Sequence, residues 1–278
     1  MQRSVTRKSI NDYKQYLFAA EKAKATVTKY INEAERLAEY LNGNPLNKRA
    51  LLEYRETLAE NFSSRTVNTK LAAINGYLAF IGADEYKVHL LKVQRKAFIA
   101  ENRELSAAEY KRLVNAADAS GNDRLSLVMQ TICATGIRIS ELSYITVDAV
   151  KERRMEIRLK GKSRTVIIPS KLCKKLVEYA RQRIDTGAVF RTKGGKPLDR
   201  ANVCHDMKRL CDAAHVERSK VFPHNLRHLF ARAFYSIEKN LSHLADVLGH
   251  SSIETTRIYV AASSRQYERM LDKMKLIT

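Results

Sequence analysis

The stretch MEIRLKGKSRTVII, residues 155–168, decides how the rest of the chain is read. Met155, Ile157 and Leu159 alternate with Glu156, Arg158 and Lys160, the two-residue period of a strand with one wet face. Gly161-Lys162 offers a two-residue turn, and Ser163 to Ile168 supply a β-branched return strand. The reading is a small hairpin with Arg158 and Lys160 on its solvent face. On both sides of it the apolar spacing is helical, which makes the fold class mainly α with a small β-hairpin (α+β).

Downstream, Leu172, Leu176, Val177, Ala180 and Ile184 predict one helix, and Asp199 is a cap for a second through Val203, Met207, Leu210 and Ala214. Three more follow: Asn225 to about Ile237, Leu241 to Leu248 stopped by Gly249, and one opened by Ser251 or Ser252 that reaches Tyr259. Tyr267, Met270, Leu271 and Met274 outline a short amphipathic tail helix. Upstream, a helix through Leu125 to Cys133 ends at Ala134-Thr135-Gly136, and Ile139-Ser140-Glu141-Leu142 starts another. Ser106 and Glu109 have capping-box spacing, with Leu105 and Tyr110 as the accompanying hydrophobic staple, so a domain opens there.

Further toward the N-terminus, four apolar stripes predict a compact helical module. They run through Ile10, Tyr13 and Leu17, then Val27 to Leu41, then Leu51 to Ala59, then Val67, Leu71, Ile74, Leu78 and Ile81. Residues 83–104 break the periodicity, are rich in charge and read as the connection between domains. The bounds assigned are a module at 1–97, a linker at 98–104 and a second domain at 105–278.

The 278 residues carry 50 Lys and Arg against 30 Asp and Glu, a formal +20, and the excess falls in both halves. Such a charge points to a polyanionic partner. No apolar run approaches the roughly 20 residues of a bilayer span, and the first ten residues lack an apolar signal core. Cysteines at 133, 173, 204 and 211 are too few and irregular for a disulfide framework, which fits a reducing cytoplasmic location. Cys204, His205, Cys211 and His215 cluster in sequence but lack the short Cys-x-x-Cys knuckle, so no metal site is expected.

The residues that carry chemistry are basic and far apart: Arg138 after a Thr-Gly turn, Lys160 at the hairpin, His224 and Arg227 on one helical face, His250 after Gly249, and Tyr259. Guanidiniums can hold non-bridging phosphate oxygens and stabilise the extra charge of a pentacoordinate transition state, while a nucleophile, a base and an acid complete the set. Four segments together resemble the tyrosine recombinase (phage integrase) family, of the Xer or small mobile-element type. They are Ala134-Thr135-Gly136-Ile137-Arg138-Ile139-Ser140-Glu141-Leu142, His224-Asn225-Leu226-Arg227-His228, Leu248-Gly249-His250-Ser251-Ser252 and Thr255-Thr256-Arg257-Ile258-Tyr259. In the first module, Ser63-Ser64-Arg65-Thr66-Val67-Asn68-Thr69-Lys70-Leu71 is similar to the family's core-binding (SAM-like) module.

The resemblance implies a two-domain, C-shaped clamp on double-stranded DNA and a site-specific recombinase that works through a 3′-phosphotyrosyl intermediate and a Holliday junction, for element integration or excision or for dimer resolution. It implies Tyr259 as nucleophile, His224 as base, Arg138 and Arg227 as phosphate clamps, His250 as a donor to the phosphate, and a hairpin lysine as acid. Lys160 is favoured for that lysine on strand parity, with Lys162 the alternative. Glu141 would support the site, and His228 is assigned to helix packing. DNA contacts are expected from Arg65, Lys70, Lys92, Arg95, Lys96, Arg158 and Arg164. No cofactor or metal is implied. A homotetramer would form on DNA by exchange of the tail, with Met270, Leu271 and Met274 as docking residues, and an accessory DNA-bending or directionality protein is a further candidate partner. A type IB topoisomerase-like relaxer and a non-catalytic DNA-binding regulator are the competing readings.

Overall fold

In a computed structural model, the structure describes residues 5–93, 104–159, 162–181, 184–192, 194–250, 252–260 and 272–273. The chain divides into two compact units, Met1–Arg95 and Lys96–Thr278. Most of the 98–104 linker, together with Arg95 and Lys96, lies outside the described residues.

The first unit contains α1 (Arg7–Ala19), α2 (Lys24–Leu41), α3 (Lys48–Asn61) and α4 (Ser64–Phe80). Its starts follow from side-chain caps: Thr6 with Ser9 in a reciprocal box, Asn47 on the Ala50 N–H, and Ser63 on the Thr66 N–H. The stripes predicted from the sequence converge, with Leu37, Leu51, Leu71, Ile74 and Leu78 buried in one cluster and Ile10, Tyr13, Leu17 and Tyr77 in another. Each such apolar side chain withdrawn from water contributes on the order of 1.5–3 kcal/mol.

Two expectations change here. Part of the charged stretch after residue 83 is packed, not a free connection: a 3-10 turn spans Asp84–Tyr86 and Val88 is buried. Asn75 brackets the Val88 backbone, accepting from its N–H at 3.1 Å and donating to its carbonyl at 2.9 Å. Asn68 does the same at Leu91, at 2.7 and 2.8 Å. The two amides therefore extend the surface of α4 by a strip of chain.

The second change is Lys70, expected on DNA. It points inward, because it shares the apolar face of α4 with Val67, Leu71 and Ile74. Its ammonium donates to both Glu33 oxygens at 3.0 Å and lies 4.8 Å from the centre of the Phe62 ring. Arg65 and Lys92 are exposed.

The second unit runs α5 (Ala107–Ala119), α6 (Asp123–Thr135), a 3-10 segment at Ile139–Tyr144, α7 (Val147–Glu152), β1 (Arg154–Leu159), β2 (Lys162–Ile167), α8 (Ser170–Arg181), α9 (Arg200–Arg209), α10 (Cys211–Ala214), α11 (Pro223–Glu238), α12 (Leu241–Leu248) and α13 (Ile253–Val260). Ser106 and Glu109 form their capping box, with bonds of 3.1 and 2.8 Å. The core gathers Leu113, Met129, Ile132, Leu176, Phe190, Met207 and Leu226.

The strands pair antiparallel with Leu159 opposite Lys162, so the loop between them is Lys160-Gly161 and not Gly161-Lys162. Lys162 is a strand residue; the placements of Lys160 and Gly161 and the Lys162 side chain lie outside the described residues. Met155, Ile157 and Val166 form the buried face of the hairpin, and Arg158 is exposed beside Glu156 at 2.9 Å.

Among the described residues, no helix is long and apolar enough to cross a membrane. No three His, Cys, Asp or Glu side chains converge among them as a metal-holding group. Cys211 is buried with its thiol on the Met207 carbonyl.

Candidate active site

The second unit brings its distant motifs together by turning helices sharply. Gly136 ends α6 in the left-handed region (φ +66°), and a β-carbon there would stand 2.4 Å from the Phe230 ring of α11. Only glycine satisfies both demands. The chain then delivers Arg138 at the head of the 3-10 segment, where Glu141, three residues on, accepts the Arg138 backbone N–H at 2.8 Å. Gly249 (φ +65°) ends α12 in the same way and delivers His250. On α11, His224, Arg227 and His228 share one face by their three- and four-residue spacing.

Arg227 lies at the centre, only 1% exposed. Its guanidinium donates to the Gly136 carbonyl at 2.7 Å and the Leu248 carbonyl at 2.8 Å, the carboxyl ends of α6 and α12. Helix C-termini carry partial negative charge, so two of them stabilise a cation without cancelling it. Nε of Arg227 has no hydrogen-bond partner among the described residues. Burial, then the charge of Arg138, pulls the Arg227 pKa down to about 10, which leaves it charged at neutral pH. A buried, incompletely satisfied cation of this kind favours an anion.

Glu141 is fully buried and its two oxygens take four bonds. Arg138 contributes its N–H and one guanidinium nitrogen (2.9 Å), and Arg164 contributes two nitrogens at 2.7 and 3.3 Å. Arg164, expected on DNA, is therefore turned inward. It lies on the buried face of the hairpin, opposite Ile157 and two residues from Val166. Arg138 keeps 40% of its side chain exposed and opens onto a cavity of ≈480 Å³ that Arg200, His224 and Arg227 also line.

Tyr259 is only 5% exposed, and its hydroxyl is 3.3 Å from His224 Nε2. His228 stacks on the phenol ring at 4.1 Å, and the His250 ring is 5.2 Å away. His224, which keeps an edge open to the cleft, has its pKa lowered by desolvation first and then by Arg227, Arg200 and Arg138. It is neutral at pH 7 and able to accept a proton. Burial also holds His228 down to about 3 and His250 to about 4.

The tautomer of His250 follows from its neighbours. Arg227 can only donate, so at 2.9 Å His250 Nε2 accepts, and Nδ1–H donates to Thr256 Oγ1 at 2.9 Å.

The fold thus gathers Arg138, Glu141, His224, Arg227, His250 and Tyr259, while the hairpin lysine lies outside the described residues. Sequence reasoning missed Thr256 and Arg200. The first sits one helical turn before Tyr259 on α13, inside the Thr255–Tyr259 segment, where no role was assigned to it; Arg200, at the start of α9, carried no signal.

Comparison with known proteins bears on the family and the fold. The profile described as "Phage integrase family" matches residues 103–266. The chain is 30% identical to tyrosine recombinase XerA of Thermococcus kodakarensis over 96% of its own length and 95% of the relative's. It is also 30% identical to tyrosine recombinase XerH of Campylobacter jejuni, over 90% and 77%. Among solved structures, XerH bound to its difH substrate in a pre-cleavage complex superposes with TM-score 0.69 at 21% identity, covering 88% of this chain and 78% of that one. A lambda integrase tetramer on a Holliday junction gives 0.71 at 17%, covering 92% and 78%.

Proposed function

This chain belongs to the phage integrase family and is a site-specific tyrosine recombinase similar to the Xer proteins, and from that premise we propose how its own side chains carry out strand exchange. Tyr259 is the nucleophile. Its oxygen attacks the scissile phosphorus of a DNA strand while His224 Nε2 takes the phenolic proton. The bond from phosphorus to the 5′-oxygen breaks, leaving a 3′-phosphotyrosine. Lys160 gives a proton to the departing oxygen. Attack by the 5′-hydroxyl of a partner strand reverses these steps and yields a Holliday junction. The phosphoryl bond is kept throughout, so ligation needs no nucleotide.

A free phenol ionises near ~10, so attack at neutral pH needs both a base and a field that favours negative charge. The observation that carries the assignment is the Tyr259 hydroxyl at 3.3 Å from His224, beside a central cation, Arg227, that has no carboxylate hydrogen-bonded to it among the described residues. Arg138 and Arg227 would clamp the phosphate. His250 would donate to it once phosphate takes its place beside Arg227 and a second ring proton is gained. Arg200, on the same cavity, extends the anionic footprint to a neighbouring phosphate.

The first unit is assigned to DNA contact through Arg65, Lys92 and Arg95, and the second adds Lys96 and Arg158 as further contacts. On DNA the protein would act as a homotetramer whose tail docks in a neighbouring subunit; the docking residues Met270, Leu271 and Met274 lie outside the described residues.

The test is a nicked suicide duplex, from which the cleaved fragment diffuses away and traps the covalent adduct. Denaturing electrophoresis and peptide mapping should place DNA on Tyr259. Tyr259→Phe should abolish the adduct and leave DNA affinity within about twofold. An adduct on another residue would refute the mechanism. Accumulation of Holliday junctions from two sites separates strand exchange from simple relaxation.

A further inference from the structure

Arg164 is charged, conspicuously placed and unused by the mechanism above. It sits on β2, the strand that leaves the lysine loop, and its guanidinium fills both oxygens of Glu141 at 2.7 and 3.3 Å. Only 13% of its side chain is exposed. The guanidinium lies against the turn that delivers His250: a β-carbon on Gly249 would stand 2.4 Å from Arg164 Nη1 and 2.7 Å from Cδ. One side chain therefore touches the arginine motif and the histidine turn while belonging to the hairpin.

We propose that Arg164 is a positioning residue: by taking half of the Glu141 carboxylate it holds Arg138 aimed at the phosphate with charge to spare, and it ties the lysine hairpin to that clamp. This rests on the recombinase reading above.

The electrostatics require the sharing. A buried carboxylate bonded to Arg138 alone would neutralise it, and a neutralised clamp offers a phosphate little. With two guanidiniums on one carboxylate, the trio keeps a net positive charge, and the exposed part of that charge is on Arg138. The four bonds use the four lone-pair directions that a carboxylate has, so Glu141 cannot swing to chelate Arg138. The paired geometry also asks for a guanidinium, since a lysine delivers one point charge where Arg164 delivers two parallel N–H groups. Movement of the hairpin would pull on Glu141 and hence on Arg138, linking placement of the acid to placement of the clamp.

The test measures single-turnover cleavage of the nicked suicide duplex by the full-length protein, together with the salt dependence of binding to the same duplex. Arg164→Ala should slow cleavage by about 10- to 100-fold, the scale of losing a preorganised charge contact in the transition state. In an Arg138→Ala background the same substitution should cost less than about threefold, because the group it positions is gone. Arg164→Lys should regain part of the rate, and substitution of Arg164 should leave the salt slope of binding equal to that of the background in which it is made.

Equal penalties in both backgrounds would overturn the proposal, as would a salt slope shallower by about one in Arg164→Ala, the mark of a direct phosphate contact. If Arg164→Ala does not fold, Arg164→Lys in the two backgrounds decides by the same comparison. A wild-type protein that forms no adduct would refute the recombinase mechanism and this inference with it. Wild-type cleavage with additive penalties would refute the inference alone.

Discussion

Replacing Thr256 with valine keeps the side-chain shape and removes one oxygen, which isolates a single buried hydrogen bond. Thr256 is fully buried, and its hydroxyl accepts from His250 Nδ1–H at 2.9 Å. In Thr256→Val the imidazole has two choices. If the proton stays on Nδ1 it is left without a partner, at a cost of about 1–3 kcal/mol. If it moves to Nε2, it faces the Arg227 N–H now 2.9 Å away, donor against donor, and forfeits a charge-assisted bond worth about 1.5–3 kcal/mol. Both routes cost a similar amount, so the second unit should lose about 1–3 kcal/mol. For a unit of this size that lowers its Tm by roughly 2–12 °C. The single-turnover cleavage rate should fall by about tenfold, the equivalent of some 1.4 kcal/mol in the barrier, as His250 loses its fixed orientation. Thermal unfolding gives the stability, and long-range nitrogen–proton correlation of the imidazole rings gives the tautomer. Thr256→Ser, which keeps the hydroxyl, should retain the wild-type tautomer. A Thr256→Val protein within about 0.5 kcal/mol of wild type, with His250 still protonated on Nδ1 and full cleavage activity, would refute this account of the site.

Lys70→Met should destabilise the first unit by about 1–3 kcal/mol, since the buried Glu33 carboxylate loses its ammonium and keeps only Arg36 at 2.8 Å, while the salt slope of DNA binding stays unchanged. Urea unfolding and binding titrations at several salt concentrations check both halves of that statement. Acid should weaken the second unit in a defined window. His228 and His250 are held neutral in the folded state, at about 3 and about 4, whereas the unfolded chain binds protons near 6.5. Their contribution is complete above that ordinary value and is lost as pH falls from 6.5, toward 4 for His250 and toward 3 for His228, at up to roughly 1.4 kcal/mol per pH unit for each group. His228→Phe, which keeps a ring against Tyr259, should reduce the slope of stability against pH by about half; an unchanged slope would exclude His228 as a contributor.

The elements show where sequence suffices. The Ser106–Glu109 box and the Asp199 cap formed as read, because capping depends on neighbours within three residues. The hairpin was legible from its alternation, but its register was not. The expected turn was one residue off, since pairing is fixed by the facing strand and by which side chains the core accepts. Arg164 and Lys70 were assigned to DNA by their charge. Their periodicity pointed inward, Arg164 in step with Val166 and Ile168, Lys70 in step with Val67 and Ile74. Charge was the weaker guide because each had a buried carboxylate waiting from a distant part of the chain.

By itself, the sequence determined the helical character, the capping boundaries, the basic charge and the set of arginine, histidine and tyrosine motifs, all of which are written in local spacing. Only the tertiary structure decided that Arg227 is held by the ends of two helices, that Thr256 fixes the tautomer of His250, and that Glu141 serves two guanidiniums at once. Those arrangements join residues 21 to 91 positions apart, or depend on which of two ring nitrogens a neighbour can reach. Hydrogen-bond geometry of that kind exists only after the chain has closed on itself.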